Sequence, residues 1–343
     1  MLNNLFERLQ FRNGDVVALV GGGGKTTIMQ KLAIYLCVER KMKVIMTTTT
    51  NISSEQSLGT KVFNPEMDLD ICMKQIQDAF LSNDDNIGHI VTVGKQEGKK
   101  LSGINNEWIS HLLSICDIIV VEADGASRKP LKACAFYEPV IPDSTSVVIS
   151  VVGADCVGVE LNDNFVHRSQ IMKDEILNIN SDEPKRIILT NEDVVSVVLS
   201  SNGHIKGCLL AQGKINKGSL PEFLTCQGIL SSNTPAQAHP SAVPCIVCRY
   251  DPPPIDDNIL CNDSHLHICI VINKADRNEY QAQKLFELIC TTIFKDGNKS
   301  ENYQPQVDER VIRCLGSSQA IIVASIAAGI GEGKVFAIKC STE

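Results

Sequence analysis

Apolar positions along this chain come in two rhythms. Short, almost unbroken runs rich in Val and Ile recur at 15–20, 43–47, 88–93, 117–122, 146–152, 267–272, 309–314 and 320–325. Each has the length of one strand buried on both faces. Between them, stretches with helical spacing occupy 26–40, 68–82, 105–115, 191–200 and 277–294. The fourth opens with the capping pattern Thr190-x-x-Asp193, and Gly203 follows it as a stop signal. Alternating strands and helices predict an α/β fold: a mostly parallel sheet with helices on both faces. No internal repeat interrupts the alternation.

A shift in composition does interrupt it. Between 208 and 264 lie Pro235, Pro240, Pro244 and Pro252-Pro253-Pro254, separated by Ser, Asn and Asp. The expected organisation is a first part of the core at 1–207, an insertion or excursion at 208–264, and a second part of the core at 265–343. The excursion also carries Cys226, Cys245, Cys248 and Cys261, followed by His265, His267 and Cys269. Their spacing permits Zn²⁺, but one C-x-x-C without a matching partner pair is a weak signal, and Cys269 also suits the sheet core.

With 343 residues there is ample apolar content for a large core. A net charge of −8 excludes a general attraction to nucleic acid or to anionic membranes. The start MLNNLFERLQF has no signal-peptide pattern, and the apolar run from Ala320 to Ile330 is too short to span a bilayer. A cytoplasmic protein is expected. Most of the fourteen cysteines sit within apolar stretches, as Cys37, Cys72, Cys116 and Cys290 do, where they serve as small hydrophobes in a reducing compartment.

The first apolar run leads into Gly21-Gly22-Gly23-Gly24-Lys25-Thr26-Thr27. A strand, a glycine loop and a helix in that order predict a P-loop NTPase. The backbone N–H groups of the glycines cradle phosphates, Lys25 reaches the β- and γ-phosphates, and the Thr26 hydroxyl ligates Mg²⁺. The match is imperfect, because Leu19 stands where the first glycine of G-x-x-x-x-G-K-S/T belongs, and Val20 where some families carry a second lysine.

Two further motifs refine the expectation. Asp117–Val121 ends in Glu122-Ala123-Asp124-Gly125, an E-x-x-G form of the element whose carboxylates hold Mg²⁺ or its water and whose glycine senses the γ-phosphate. Asn273-Lys274-Ala275-Asp276 follows another apolar run. Asp276 suits the N1–H and 2-amino donors of guanine, with Asn273 supporting the loop and the Lys274 stem lying along the ring. GTP is therefore expected, with ATP as the alternative.

Beside these motifs, Arg128, Lys129 and Lys132 bring three cations near the γ-phosphate position. They supply transition-state charge, bind an acidic partner, or form a solvated basic turn. Thr47 to Thr50 form either a second nucleotide-sensing loop or a threonine-rich strand end.

GGGGKTT, VIMTTTTN, DIIVVEADGASRKPLKACAFYEPVIP, VVISVVGADCVG with His167-Arg168 after it, and IVINKAD together resemble the YqeC-like P-loop proteins. The likeness spans 10–207 and 265–325. Tyr137 replaces an expected His, and Ala126-Ser127 an expected Ser-Arg, which leaves Arg128 as the arginine of that loop. The resemblance implies an accessory protein in the biogenesis of selenium-dependent molybdenum hydroxylases. A looser similarity to metal-delivering GTPases implies hydrolysis as a timer for handing cargo to a client metalloenzyme or cofactor carrier.

On this reading Lys25 neutralises the transferred phosphoryl group, Glu122 or Asp124 positions metal or water, and Arg128 supplies transition-state charge. Turnover is expected to be slow unless a partner, or a second copy in a homodimer, completes the site. A small-molecule kinase or ATPase and a non-hydrolysing nucleotide sensor are the rival readings.

Overall fold

The computed structural model describes residues 2–50, 52–53, 60, 62–64, 68–82, 89–98, 100–179, 186–211, 213, 266–294, 320–327 and 334–340. In chain order the first elements are α1 (Asn3–Arg8), β1 (Asp15–Gly21), α2 (Lys25–Val38), β2 (Val44–Thr48), β3 (Ile52–Ser53), β4 (Val62–Phe63), α3 (Leu69–Leu81), β5 (Ile90–Val93), β6 (Lys95–Glu97), β7 (Lys100–Ser102) and α4 (Asn106–Leu113). They are followed by β8 (Ile118–Glu122), β9 (Leu131–Lys132), β10 (Val147–Gly153), β11 (Val166–His167), α5 (Ser169–Ile171), α6 (Asn191–Val198), α7 (Lys206–Ala211), β12 (His267–Asn273), α8 (Glu279–Phe294), β13 (Ala320–Ala327) and β14 (Lys334–Cys340).

Among the described residues, nine strands form one sheet in the order β14-β13-β12-β10-β1-β8-β2-β5-β4. All its pairings are parallel except β13 with β14. The period of two along β1 decides which helices cover it. Val17 and Leu19 pack with Leu5 and Phe6 of α1 and with Ile28, Leu32 and Leu36 of α2. Ala18 and Val20 face the other side, among Val194 and Val198 of α6 and Leu285 and Ile289 of α8. On that second face, α3 and α4 cover the half nearer β5 with Cys72, Ile76, Phe80, Ile109 and Leu112. The expected α/β architecture with helices on both faces is present.

Every expected strand and helix within the described residues forms, within a few residues of its expected ends. Thr190 and Asp193 make a reciprocal capping box at the start of α6. The run at 309–314, the cysteines Cys226, Cys245, Cys248 and Cys261, and His265 lie outside the described residues. His267 opens β12 half-buried, while Cys269 is buried against the α1 and α2 side of the sheet. Helix α7 crosses the boundary expected at 207/208, with Cys208 and Leu209 buried in the main core. Among the described residues no helix is long and apolar enough to cross a membrane.

The strand order positions the site. From β1 the chain crosses to β2 on one side, whereas from β8 it crosses back past β1 to β10 on the other. Ligand crevices in open parallel sheets form at such reversals, outside the carboxyl ends of the strands. The pairing register brings Leu19 level with Glu122, Gly21 level with Val151, and Gly153 level with Asn273. The glycine loop, the acidic strand end and the N-K-x-D strand end therefore open onto one edge.

Candidate functional site

The glycine loop needs its glycines for conformation and for room. Gly23 has φ +75°, and an added Cβ there would lie 2.2 Å from the Gly153 nitrogen. Gly21 N–H donates to Asp124 Oδ2 at 2.9 Å, Gly22 N–H to Val151 O at 2.8 Å and Gly23 N–H to Lys129 O at 2.9 Å. The next four N–H groups, from Gly24 to Thr27, have no protein acceptor among the described residues. They form the start of α2, where unpaired donors and the helix dipole together favour an anion.

Lys25, only 4% exposed, stands behind that array. Its Nζ donates to Gly21 O at 2.6 Å and lies 3.0 Å from Asp124 Oδ1 and 3.7 Å from Glu122 Oε1. The Thr26 hydroxyl donates to Glu122 Oε2 at 2.7 Å. The two carboxylates differ in environment. Burial pushes the Glu122 carboxyl above its ordinary value, outweighing Lys25 and the Thr26 hydroxyl. Burial also opposes the charge on Asp124, but Lys25, Lys132 and the Gly21 N–H outweigh it and hold that carboxyl below the usual range. Asp124 is thus kept ionised while Glu122 is made a better proton acceptor.

The three cations after Gly125 have different surroundings. Arg128 is exposed on a left-handed turn residue, φ +61°, with no side-chain partner among the described residues. Lys129 Nζ donates to the carbonyls of Asp163 and Val166. Lys132 is completely buried, its Nζ 3.1 Å from Asp124 Oδ2 and donating to Glu138 Oε2 and to Gly125 O at 2.8 Å each. Arg168 then grips both oxygens of Glu138 and lies over the Tyr137 ring. A row of alternating charges, Lys25, Asp124, Lys132, Glu138 and Arg168, thus runs from the glycine loop toward the surface.

Sequence reasoning assigned no role to Glu138, Arg168 or His204. The Glu-Pro-Val-Ile-Pro run and the His167-Arg168 pair were the available signals for the first two. His204 has none in its own neighbourhood beyond Gly203, whose missing side chain lets it approach Val197 O. His204 Nε2 accepts the Lys132 main-chain N–H at 3.3 Å, and its Nδ1 has no partner among the described residues. An added Cβ on Gly21 would come 2.7 Å from that Nδ1, so the ring lies directly beneath the loop.

Burial depresses the His204 imidazole to about 3, whereas an unfolded histidine titrates near 6.5. A depressed folded-state value means the stability present above pH ~6.5 is lost as pH falls toward that value, by up to ~1.4 kcal/mol per pH unit. His167, lowered to about 4 by burial and then by Arg168, acts in the same direction more weakly because it is half exposed. In urea unfolding between about pH 6.5 and 4, His204→Gln is expected to flatten the fall in stability. An unchanged slope would remove His204 as its source.

The threonine run serves the scaffold. Hydroxyls of Thr47, Thr48 and Thr49 donate to the carbonyls of Val93, Glu122 and Val140 at 2.8, 2.8 and 2.7 Å. At the far strand end, Asn273 Nδ2 donates to Gly23 O at 2.8 Å and so braces the glycine loop. Lys274 pairs with Asp155 at 2.6 Å. Asp276 is exposed, and its carboxylate engages no group among the described residues.

A family described as YqeC protein matches residues 17–170. The chain is also 29% identical over 229 residues to the protein named "Uncharacterized protein YqeC" of Escherichia coli (strain K12). That alignment covers 65% of this chain and 83% of the relative. The chain is similar to YqeC proteins over that stretch. No solved structure matches it. The YqeC match holds the glycine loop, both carboxylates, Lys132, Glu138 and Arg168, whereas His204 and Asn273 lie beyond it.

The donor set fits Mg²⁺ and a polyphosphate. Asp124 Oδ1 accepts no aligned hydrogen bond among the described residues although it is fully buried 3.0 Å from Lys25 Nζ. The Thr26 hydroxyl and the Glu122 carboxylate already adjoin, as hard oxygen donors for Mg²⁺ must. Gly125 N–H has no acceptor among the described residues, and the space above its Cα is open.

Proposed function

We propose that this chain binds and hydrolyses a nucleoside triphosphate, GTP in preference to ATP. The observation that carries the reading is the Lys25 ammonium, held 3.0 Å from Asp124 beside four acceptor-free N–H groups at the start of α2. That arrangement matches a polyphosphate in charge and in donor geometry.

In turnover Lys25 swings from Asp124 to the phosphates and offsets their charge, while the N–H groups from Gly24 to Thr27 hold the oxygens. Glu122, with its raised proton affinity, orients the attacking water. Gly125 N–H meets the terminal phosphate. Thr26, Glu122 and Asp124 would hold Mg²⁺, which when bound lowers the charge on the phosphate oxygens. Arg128, exposed and unpaired among the described residues, is free to contribute charge from the rim.

The preference for guanine rests on Asp276, an exposed carboxylate on the strand end whose Asn273 braces Gly23. Kinship with YqeC, together with the use of hydrolysis as a timer in similar metal-delivering proteins, supports service in maturing a molybdenum hydroxylase. The partner on that reading is a client metalloenzyme or cofactor carrier.

Calorimetric titration with Mg²⁺ and non-hydrolysable GTP or ATP analogues tests the reading. GTP is expected to bind more tightly, and Asp276→Ala to weaken GTP by about 100-fold while leaving ATP unchanged. Equal affinities that ignore the substitution would end the guanine assignment. Consumption of nucleotide only when an acceptor is added would identify a kinase instead.

A further inference from the structure

We propose that Lys132 is a positioning residue for the phosphate site, holding the Asp124–Gly125 turn in place when Lys25 leaves Asp124 for a phosphate. The inference rests on the nucleotide reading above and assigns a role to a residue outside it.

The argument starts from the number of charges. Asp124 is fully buried and shares two cations, Lys25 at 3.0 Å and Lys132 at 3.1 Å. A phosphate that draws Lys25 away leaves Lys132 as the protein cation still in contact with this buried carboxylate, whether or not Mg²⁺ reaches its other oxygen, and a buried carboxylate stripped of its protein counter-charges is strongly disfavoured. The charge of Lys132 is not fully claimed by Glu138, because Arg168 already holds both oxygens of that carboxylate.

Geometry separates the two lysines. Lys25 sits at the first position of α2, next to donors that face an anion. Lys132 is locked on every side: Nζ meets Asp124, Glu138 and Gly125 O, and its main-chain N–H meets His204 Nε2. Of the three donors of its ammonium, two are hydrogen-bonded, to Gly125 O and Glu138 Oε2, and the Asp124 carboxylate lies 3.1 Å away as its ion-pair partner. By holding Gly125 O as well as Asp124, Lys132 fixes both ends of the turn that presents the acceptor-free Gly125 N–H. Without nucleotide its loss leaves Asp124 paired with Lys25 and with Gly21 N–H, and Glu138 paired with Arg168. The defect therefore appears when nucleotide binds.

Lys132→Met keeps the apolar stem and removes the charge and its donors. Binding of Mg²⁺ with a non-hydrolysable GTP analogue, KM and kcat for GTP, and thermal unfolding without nucleotide are compared with wild type. The folded variant is expected to bind about 30-fold more weakly, with KM raised more than kcat is lowered. Affinity within about 3-fold of wild type, as a purely structural lysine would give, overturns the proposal. Should the variant fail to fold, the wild-type complex with the same analogue is crystallised. Lys25 on the phosphates with Lys132 still on Asp124 and Gly125 O supports the proposal, and Lys132 displaced, or Lys25 still on Asp124, overturns it. Absence of any binding by wild type instead ends the nucleotide reading, and this inference with it.

Discussion

Replacing Lys25 by alanine is expected to lower nucleotide turnover by about 10³-fold, the loss typical of removing a charge that meets the transition state in a preorganised site. The same substitution should leave the protein folded. Asp124 keeps Lys132 and the Gly21 N–H, and Glu122 keeps the Thr26 hydroxyl and its readiness to hold a proton. The informative result is the combination: a melt close to wild type with turnover gone. A variant that still hydrolyses within about 10-fold of wild type would mean that Lys25 is a structural counter-ion to Asp124 and no more.

Removal of the anion between the two lysines should do the opposite. Asp124→Ala leaves the Lys25 and Lys132 ammoniums facing each other, at 4% and 0% exposure, across the space the carboxylate occupied. It also strips Gly21 N–H of its acceptor. Breaking a buried ion pair from one side costs about 3–5 kcal/mol, so equilibrium unfolding in urea should show a loss of that order. A loss under about 1 kcal/mol would mean that water already enters the pocket and screens the charges. Acid should reproduce part of the effect. The folded-state value of Asp124 is depressed, so its contribution is intact above pH ~4 and disappears as pH falls through that lower value.

These two experiments depend on features that differ in how visible they are in the chain. The run at 16–20 is legible because burial on both faces leaves it no polar position, and the glycines because no other residue reaches φ +75° beside Gly153 without strain. Glu122, Asp124 and Asn273 are legible as polar residues that end apolar runs.

The charge row is not. Lys132, Glu138 and Arg168 come from separated segments, and a lysine among Arg128, Lys129 and Pro130 reads as a solvated turn until the fold buries it. Neither is the role of the threonines, since a hydroxyl that braces a strand end and one that meets a phosphate look alike in a one-dimensional pattern. Strand β14 escaped for another reason: Lys334–Cys340 mixes charged and apolar positions, as an antiparallel edge strand does, and lacks the solid apolar run of its parallel neighbours.

The hydrogen bond from Asn273 to Gly23 O joins residues 250 positions apart. It ties the timing of the site to the direction of synthesis. The ribosome finishes β1, the glycines and α2 well before β12, but the brace that steadies Gly23 cannot exist until residue 273 has emerged, and β12 must first dock beside β10 to deliver it. A nascent chain halted before that point carries the acceptor-free donors of α2 without their support, so the loop is made some 250 residues before it is finished.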